Sequence, residues 1–199
     1  MLTFLQKHPD KIYKPLLEHV QLVVITLLIS VAIAVLLTVL SMQYQKLGQV
    51  LMNLFSVVYS IPSLALFALL IPVTGLGRTT AVAVLTAYNQ YLLLRNFITG
   101  LNEVDPAIRD AAAGIGMTRM QMLFKVQAPL AKKAILAGIR LAVVSTIGIG
   151  TIAASINAGG LGTLLFDGLR TMNTVKILWG SLLSAALAIL LNALIKLAE

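Results

Sequence analysis

The feature that most constrains this chain is the length of its uncharged runs. No charged residue falls between Val20 and Gln45, between Leu47 and Gly77, or between Leu141 and Phe166. A helix needs about 20 mostly apolar residues to cross the hydrocarbon layer of a bilayer. Each of these runs is that long. Residues are 59% hydrophobic and 11% charged, with a mean hydropathy of +0.95. An average soluble domain is about one-quarter charged, so the chain reads as an integral membrane protein.

The runs divide into five predicted spans, making an all-α membrane domain over residues 20–199. Val20 to Gln45 is the first, ended by Lys46. Leu47 to Gly77 is too long for one straight helix. Pro62 lies inside it and removes a ladder donor, so the second span is predicted to bend or break there. Pro72, Gly75 and Gly77 read as its exit turn. The third span runs from about Thr79 to Ile98, with Arg95 snorkelling from its end. The fourth follows Pro129 and ends near Ser155 or Ile156, before Asn157-Ala158-Gly159-Gly160-Leu161-Gly162. The stretch to Lys176 reads as an external loop or half-inserted helix. Ile177 to Ile195 is the fifth span, where Ser181, Ala185, Ala188 and Asn192 form a small or polar packing stripe. Residues 1–19 are predicted as an interfacial arm touching lipid, with Leu2, Phe4 and Leu5 as its contacts.

The formal net charge of +8 is not a nucleic-acid footprint. The basic residues flank apolar runs, as they do at membrane interfaces. There is no cysteine, which excludes disulfides and thiol chemistry. His8 and His19 have no second ligand signal nearby, so no metal site is expected. Met1 to Lys14 does not read as a cleavable signal peptide.

The water-compatible segment between spans three and four, residues 102–128, carries two short helix starts. Asp105 is an N-cap and Pro106 a first helical residue. Gly114 and Gly116 suit a turn after about two helical turns. Thr118 and Gln121 form a capping box, flanked by Met117 and Met122 at staple positions. Met120, Leu123 and Phe124 share a face, with Arg119 and Lys125 off it. The second helix is expected to end or bend at Pro129.

Asp110, Ala111, Ala112, Gly116, Val126 and Pro129 match, in spacing, the cytoplasmic loop signature of bacterial ABC-importer permeases. That signature is Glu-Ala-Ala, a glycine four residues after the second alanine, then isoleucine, any residue, leucine and proline. Asp110, Val126 and Ala128 depart conservatively from it. The chain thus resembles a type I ABC-importer permease. The resemblance implies that this segment, with Ala113 and Gly114 in its small-residue patch, seats in a groove of the ATPase subunit. Ser60-Ile61-Pro62-Ser63-Leu64-Ala65-Leu66, Asn96-Phe97-Ile98-Thr99-Gly100-Leu101 and Ala158-Gly159-Gly160-Leu161-Gly162 narrow the likeness. They are similar to permeases for glycine betaine, carnitine and choline. Importers of ergothioneine and other small solutes share similar segments, so an amino acid or an ergothioneine-like betaine is the alternative cargo.

Several letter patterns carry no chemistry. Gly148-Ile149-Gly150-Thr151-Ile152-Ala153 has the dinucleotide-binding letters but no preceding strand. No phosphate-binding G-x-x-x-x-G-K-[ST] loop occurs, nor any serine–histidine–acid set, so the chain is not expected to be an enzyme. All seven acidic residues lie at or outside the span ends. Proton-coupled carriers place ionisable groups inside the bundle, which disfavours a secondary carrier; a stand-alone channel or carrier is the rival reading. Intramembrane polar residues taken singly are mostly helix–helix hydrogen bonders, worth about 0.6–2 kcal/mol. Those near the Pro62 break and the Asn157–Gly162 break together read as a translocation path. Tyr59, Ser60, Pro62, Ser63, Asn89 and Asn157 are the candidates.

The resemblance further implies alternating access by two permease subunits, identical or paralogous. An ABC ATPase dimer binding ATP and Mg²⁺ drives them, and an extracytoplasmic binding protein delivers solute. No cofactor is expected in this chain. With 6% aromatic residues, the aromatic cage for a quaternary ammonium group is expected in the binding protein. Nine basic residues on the side of the coupling segment against six on the other favour a cytoplasmic coupling segment. That places the N-terminus outside and the C-terminus inside.

Overall fold

The computed structural model describes residues 9–198, apart from the side chain of Gln45. The expected contacts of Leu2, Phe4 and Leu5, and His8, lie outside the described residues. Among the described residues all regular structure is helical.

Helix α1 spans Asp10–Gln43. Its 34 residues reach about 50 Å, further than a hydrocarbon layer. Residues 10–19, expected as part of an arm, continue the first span without a break. Leu22, Val23, Thr26, Ser30, Ala34, Thr38 and Ser41 form its buried stripe. Spacings of three and four put these mostly small residues on one face, where neighbouring backbones approach closely.

Helices α2 (Gln45–Ser60) and α3 (Ser63–Thr74) are the two halves of the broken second span. They meet at 101°. Pro62 lacks an N–H, and the Val58 carbonyl accepts instead from the Ile61 N–H at 3.2 Å. The bend lies where the proline predicted it. Gly75 (φ 80°) and Gly77 (φ 112°) then turn the chain into α4 (Arg78–Asn102).

Helix α4 is the axis of the bundle. Thirteen of its residues are buried, on more than one face. It packs on α1, α2, α3 and α7, the last spanning Lys132–Ile152. Phe67, Val84, Leu85, Tyr88 and Ile156 share one core cluster, and Leu93, Phe97, Ala34 and Ala142 another. Helix α7 passes into a 3₁₀ turn, Ala153–Ile156, ended by Asn157 in the left-handed region at φ 64°. The fourth span thus ends where the Asn-Ala-Gly-Gly break predicted.

Helix α8 (Leu161–Arg170) follows, then α9 (Thr174–Lys196). Leu187, Ala188, Leu191 and Ile195 pack α9 against Val143 and Ile147. Ala188 of the expected stripe lies on this face and Asn192 is half-buried, but Ser181 and Ala185 are exposed. The packing face is carried by larger apolar residues instead.

Helices α1, α7 (with its 3₁₀ extension) and α9 are long and apolar enough to cross a membrane, and the bent α2–α3 pair adds a fourth candidate. Helix α4, the remaining expected span, is 25 residues long. Tyr88-Asn89-Gln90-Tyr91 and Arg95-Asn96 keep its hydropathy low. Its burial by protein makes an apolar surface unnecessary.

Candidate functional site

The loop signature folds as a compact knuckle. Helix α5 (Pro106–Gly114) starts at Asp105, whose Oδ1 accepts from the Ala107 N–H at 2.8 Å. It stops in a Schellman turn: Gly116 N–H donates to Ala113 O at 2.9 Å and Met117 N–H to Ala112 O at 3.1 Å. Gly116 has φ 84°, a conformation that costs a Cβ-bearing residue dearly. Helix α6 (Arg119–Met122) then opens with the predicted capping box. Thr118 Oγ1 accepts from Gln121 N–H, and Gln121 Oε1 from Thr118 N–H.

At Pro129 the outcome differs from the simple expectation. The chain does not stop there. It widens into a π-turn over Leu123–Gln127 and continues as a short α-turn, Ala128–Leu130; the interruption falls at Ala131. In an α-turn the proline ring would meet the carbonyl four residues back. The wider turn relieves that clash and closes Ala128 N–H onto Leu123 O. Val126 sits half-buried within it.

The knuckle is exposed on one side and rooted on the other. Asp110, Ala111, Ala113, Gly114 and Gly116 are exposed, and Ala112 is buried. Ile115 (76% exposed), Phe124 and Met120 add apolar surface. At the root, Gln127 Nε2 donates to Leu101 O at 3.2 Å, and Gln43 Nε2 reaches Met120 Sδ at 3.6 Å. Leu101, Leu123 and Ala131 share a core cluster with Val39 and Met42. The ends of α1 and α4 and the start of α7 therefore converge on one mount. Behind it lies an apolar cavity of about 170 Å³, lined among others by Thr38, Phe97, Leu123, Phe124 and Ala128.

The proposed path residues fall in three places. Tyr59, Ser60, Pro62 and Ser63 gather at the α2–α3 bend, where Tyr59, Ser60 and Pro62 are exposed. Tyr88 and Tyr91 of α4 meet them. The Tyr59 ring centroid lies 5.6 Å from Tyr88, edge-on, and 5.1 Å from Tyr91. Tyr88 Oη donates to the Ile61 carbonyl. Arg95 donates to Tyr91 Oη at 3.0 Å, with its guanidinium 5.9 Å from that ring's centroid.

Asn89 lies apart from this cluster. It is buried between α1, α4 and α7, donating to Thr146 Oγ1 at 2.8 Å and Ser30 Oγ at 3.2 Å. Neighbouring Gln90 donates to the Ser30 carbonyl. Asn157 is exposed near the Gly77 turn, at the end of α7.

Two arrangements had no sequence signal. Glu18 Oε2 accepts from Gly160 N–H at 3.1 Å across 142 positions, pinning the Asn157–Gly162 loop to α1. At the α8–α9 corner Asp167 pairs with Lys176 at 2.6 Å and Arg170 at 3.2 Å. The Lys176 ammonium, then the Arg170 guanidinium, hold its carboxyl below the usual range.

This architecture has solved counterparts. The membrane chain of the inward-facing MetNI methionine ABC transporter matches 94% of this chain and 96% of its own length, with a TM-score of 0.78 at 18% identity. At that identity the likeness establishes the fold. Sequence relatives are nearer. The choline transport system permease protein OpuBB of Bacillus subtilis is 32% identical over all of this chain and 92% of its own length. The osmoprotectant import permease protein OsmW of Salmonella typhimurium is 37% identical over 89% of this chain and 85% of its own. The ergothioneine transport permease/ergothioneine binding protein EgtU of Helicobacter pylori is 40% identical over 78% of this chain and 28% of that longer protein. Residues 27–198 match the family model described as binding-protein-dependent transport system inner membrane component. The chain belongs to that family of ABC-transporter permease subunits.

Proposed function

We propose that this chain is the permease subunit of an ATP-driven importer that moves quaternary ammonium osmoprotectants, such as choline, glycine betaine and carnitine, into the cell. The observation that carries the reading is the knuckle: an exposed small-residue surface whose root joins the ends of α1 and α4 to the start of α7. A push on that surface passes directly into three long helices, the kind of input that rigid-body rocking requires.

In this reading Asp110, Ala111, Ala112, Ala113, Gly114, Gly116, Val126 and Pro129 form the face and frame that meet an ABC ATPase dimer. That dimer binds ATP and Mg²⁺ and performs the hydrolysis; the permease is not catalytic. A second permease subunit, identical or paralogous, completes the pathway, and an extracytoplasmic binding protein loads it. The knuckle is cytoplasmic, which puts the N-terminus outside. Tyr59, Ser60, Pro62 and Ser63 at the break line the path, with Asn89 and Asn157 on neighbouring elements as its further candidates. Broken spans are where transporters commonly build solute sites, because half-helix ends supply dipoles.

A second cargo has one specific support. The ergothioneine permease of Helicobacter pylori is 40% identical over the shared region, and ergothioneine is itself a betaine. The test is reconstitution of the chain with its copurifying ATPase and binding protein in proteoliposomes. Uptake of radiolabelled choline or glycine betaine is expected only with ATP inside and binding protein outside. Uptake by the chain with no ATPase attached sinks the importer reading. ATP-driven uptake of ergothioneine alone replaces the cargo.

A further inference from the structure

Aromatic residues are scarce in this chain, yet three of its five tyrosines meet at one point. That point is the α2–α3 bend. Tyr59 is 37% exposed there, beside exposed Ser60 and Arg95. Arg95 lies about 10 Å before the end of α4, within the depth of a spanning helix. A guanidinium, a phenol and a hydroxyl exposed at that depth are costly against lipid.

The cluster already holds a cation. The Arg95 guanidinium donates to Tyr91 Oη at 3.0 Å, at the hydroxyl edge of the ring and 5.9 Å from its centroid, and no carboxylate pairs with it among the described residues. Aromatic faces attract cations most when water is excluded. The C-terminal end of α2 adds negative partial charge, and no basic residue in its last turn cancels it. The Tyr88–Ile61 hydrogen bond ties one ring to the break itself, so movement of α3 against α4 alters the cluster.

Building on the importer reading above, we propose that Tyr59 and Tyr91, held against the break by buried Tyr88, form a cation station inside the permease. The quaternary ammonium group of the cargo binds it in transit by displacing Arg95. The rings supply attraction without a fixed negative charge, so the cargo is held and then released. Arg95 serves as the resident cation that keeps the station closed between loads.

The test uses the full reconstituted importer. Tyr59→Leu and Tyr91→Leu are each expected to slow choline uptake roughly ten-fold, about 1.4 kcal/mol. Tyr59→Phe and Tyr91→Phe, which keep the ring, are expected to stay within about two-fold of the parent. ATP hydrolysis stimulated by loaded binding protein is expected to persist in all four, which separates a lost station from a lost fold. Arg95→Gln, which removes the competing resident cation, is expected to raise uptake at subsaturating choline above the parent rate. Full choline uptake in both leucine variants overturns this proposal while leaving the importer reading intact. So does equal loss in the phenylalanine and leucine variants, or unchanged or lowered uptake in Arg95→Gln. A parent complex that takes up no quaternary ammonium solute overturns both.

Discussion

Gly100 of α4 and Ala134 of α7 touch at the root of the knuckle. A Cβ built on Gly100 would lie 2.3 Å from the Cβ of Ala134, too close for two non-bonded carbons. Overpacking of this kind costs about 1–3 kcal/mol. Gly100→Ala is expected to lower the melting temperature of the solubilised subunit, and Gly100→Leu to prevent its recovery. Ala134→Gly, which makes room, is expected to restore Gly100→Ala. Independent effects in the double variant would refute this contact.

The two glycines of the knuckle are predicted to behave differently. Gly116 sits at φ 84°, whereas Gly114 is the last residue of α5, and neither has an atom within 4 Å of a built Cβ. Space is therefore not the issue at either position; backbone conformation is. Gly116→Val is expected to strain the turn by roughly 1–2 kcal/mol or more. It should uncouple ATP hydrolysis from uptake while membrane insertion stays normal. Gly114→Ala is expected to be neutral. Equal uptake in both variants removes the turn from the coupling account.

Asn89 and Thr146 exchange hydrogen bonds in the buried contact of α4 with α7. Interhelical bonds of this type average about 0.6 kcal/mol in a membrane protein. A double-mutant cycle with Asn89→Leu and Thr146→Val is expected to give a coupling energy near that value. Transport rates in the single variants show whether Asn89 also contacts solute. An uptake loss far larger than the stability loss would assign it to the path.

The α8–α9 corner is predicted to weaken in acid. Lys176 and Arg170 lower the pKa of Asp167 in the folded state. The contribution is therefore complete above the ordinary carboxylate pKa. It is lost as pH falls through the lower folded value. The melting difference between parent and Asp167→Asn should be visible at neutral pH and vanish in strong acid. A difference that grows in acid would contradict the pairing.

Features set by a few neighbouring residues were legible in the sequence. Pro62 removes one donor, and the span bends there. Asp105 and Thr118 cap helices because their side chains reach backbone N–H groups two or three residues on, and Gln121 because its side chain reaches back three residues to the Thr118 N–H. Asn157 ends α7 because its short amide tolerates the left-handed region. Pro129 was legible only in part. Its ring forbids an ordinary turn, but the sequence does not say whether the chain stops or widens; packing of Leu123 and Ala131 on Leu101 keeps it helical.

Contacts between distant segments were not legible. Tyr59 meets Tyr88 and Tyr91 only because α2 breaks against the middle of α4. Aromatic content alone pointed to a cage elsewhere. Asn89 read as a path residue because periodicity shows that it is intramembrane without showing what it faces. Its partners, Ser30 and Thr146, lie on two other helices. The Glu18–Gly160 bond joins positions 142 apart, beyond the reach of any local rule.

The polarity of α4 also bears on how the protein is made. A segment carrying Asn89, Gln90, Arg95 and Asn96 partitions poorly from the insertion machinery into lipid by itself. The Asn89 amide finds its partners only once α1 and α7 lie alongside, and Gln90 gains its second acceptor only from α1. Biogenesis is therefore expected to retain α4 in a protected setting until α7 has been synthesised. The central helix of the finished bundle is among the last to be committed to the bilayer.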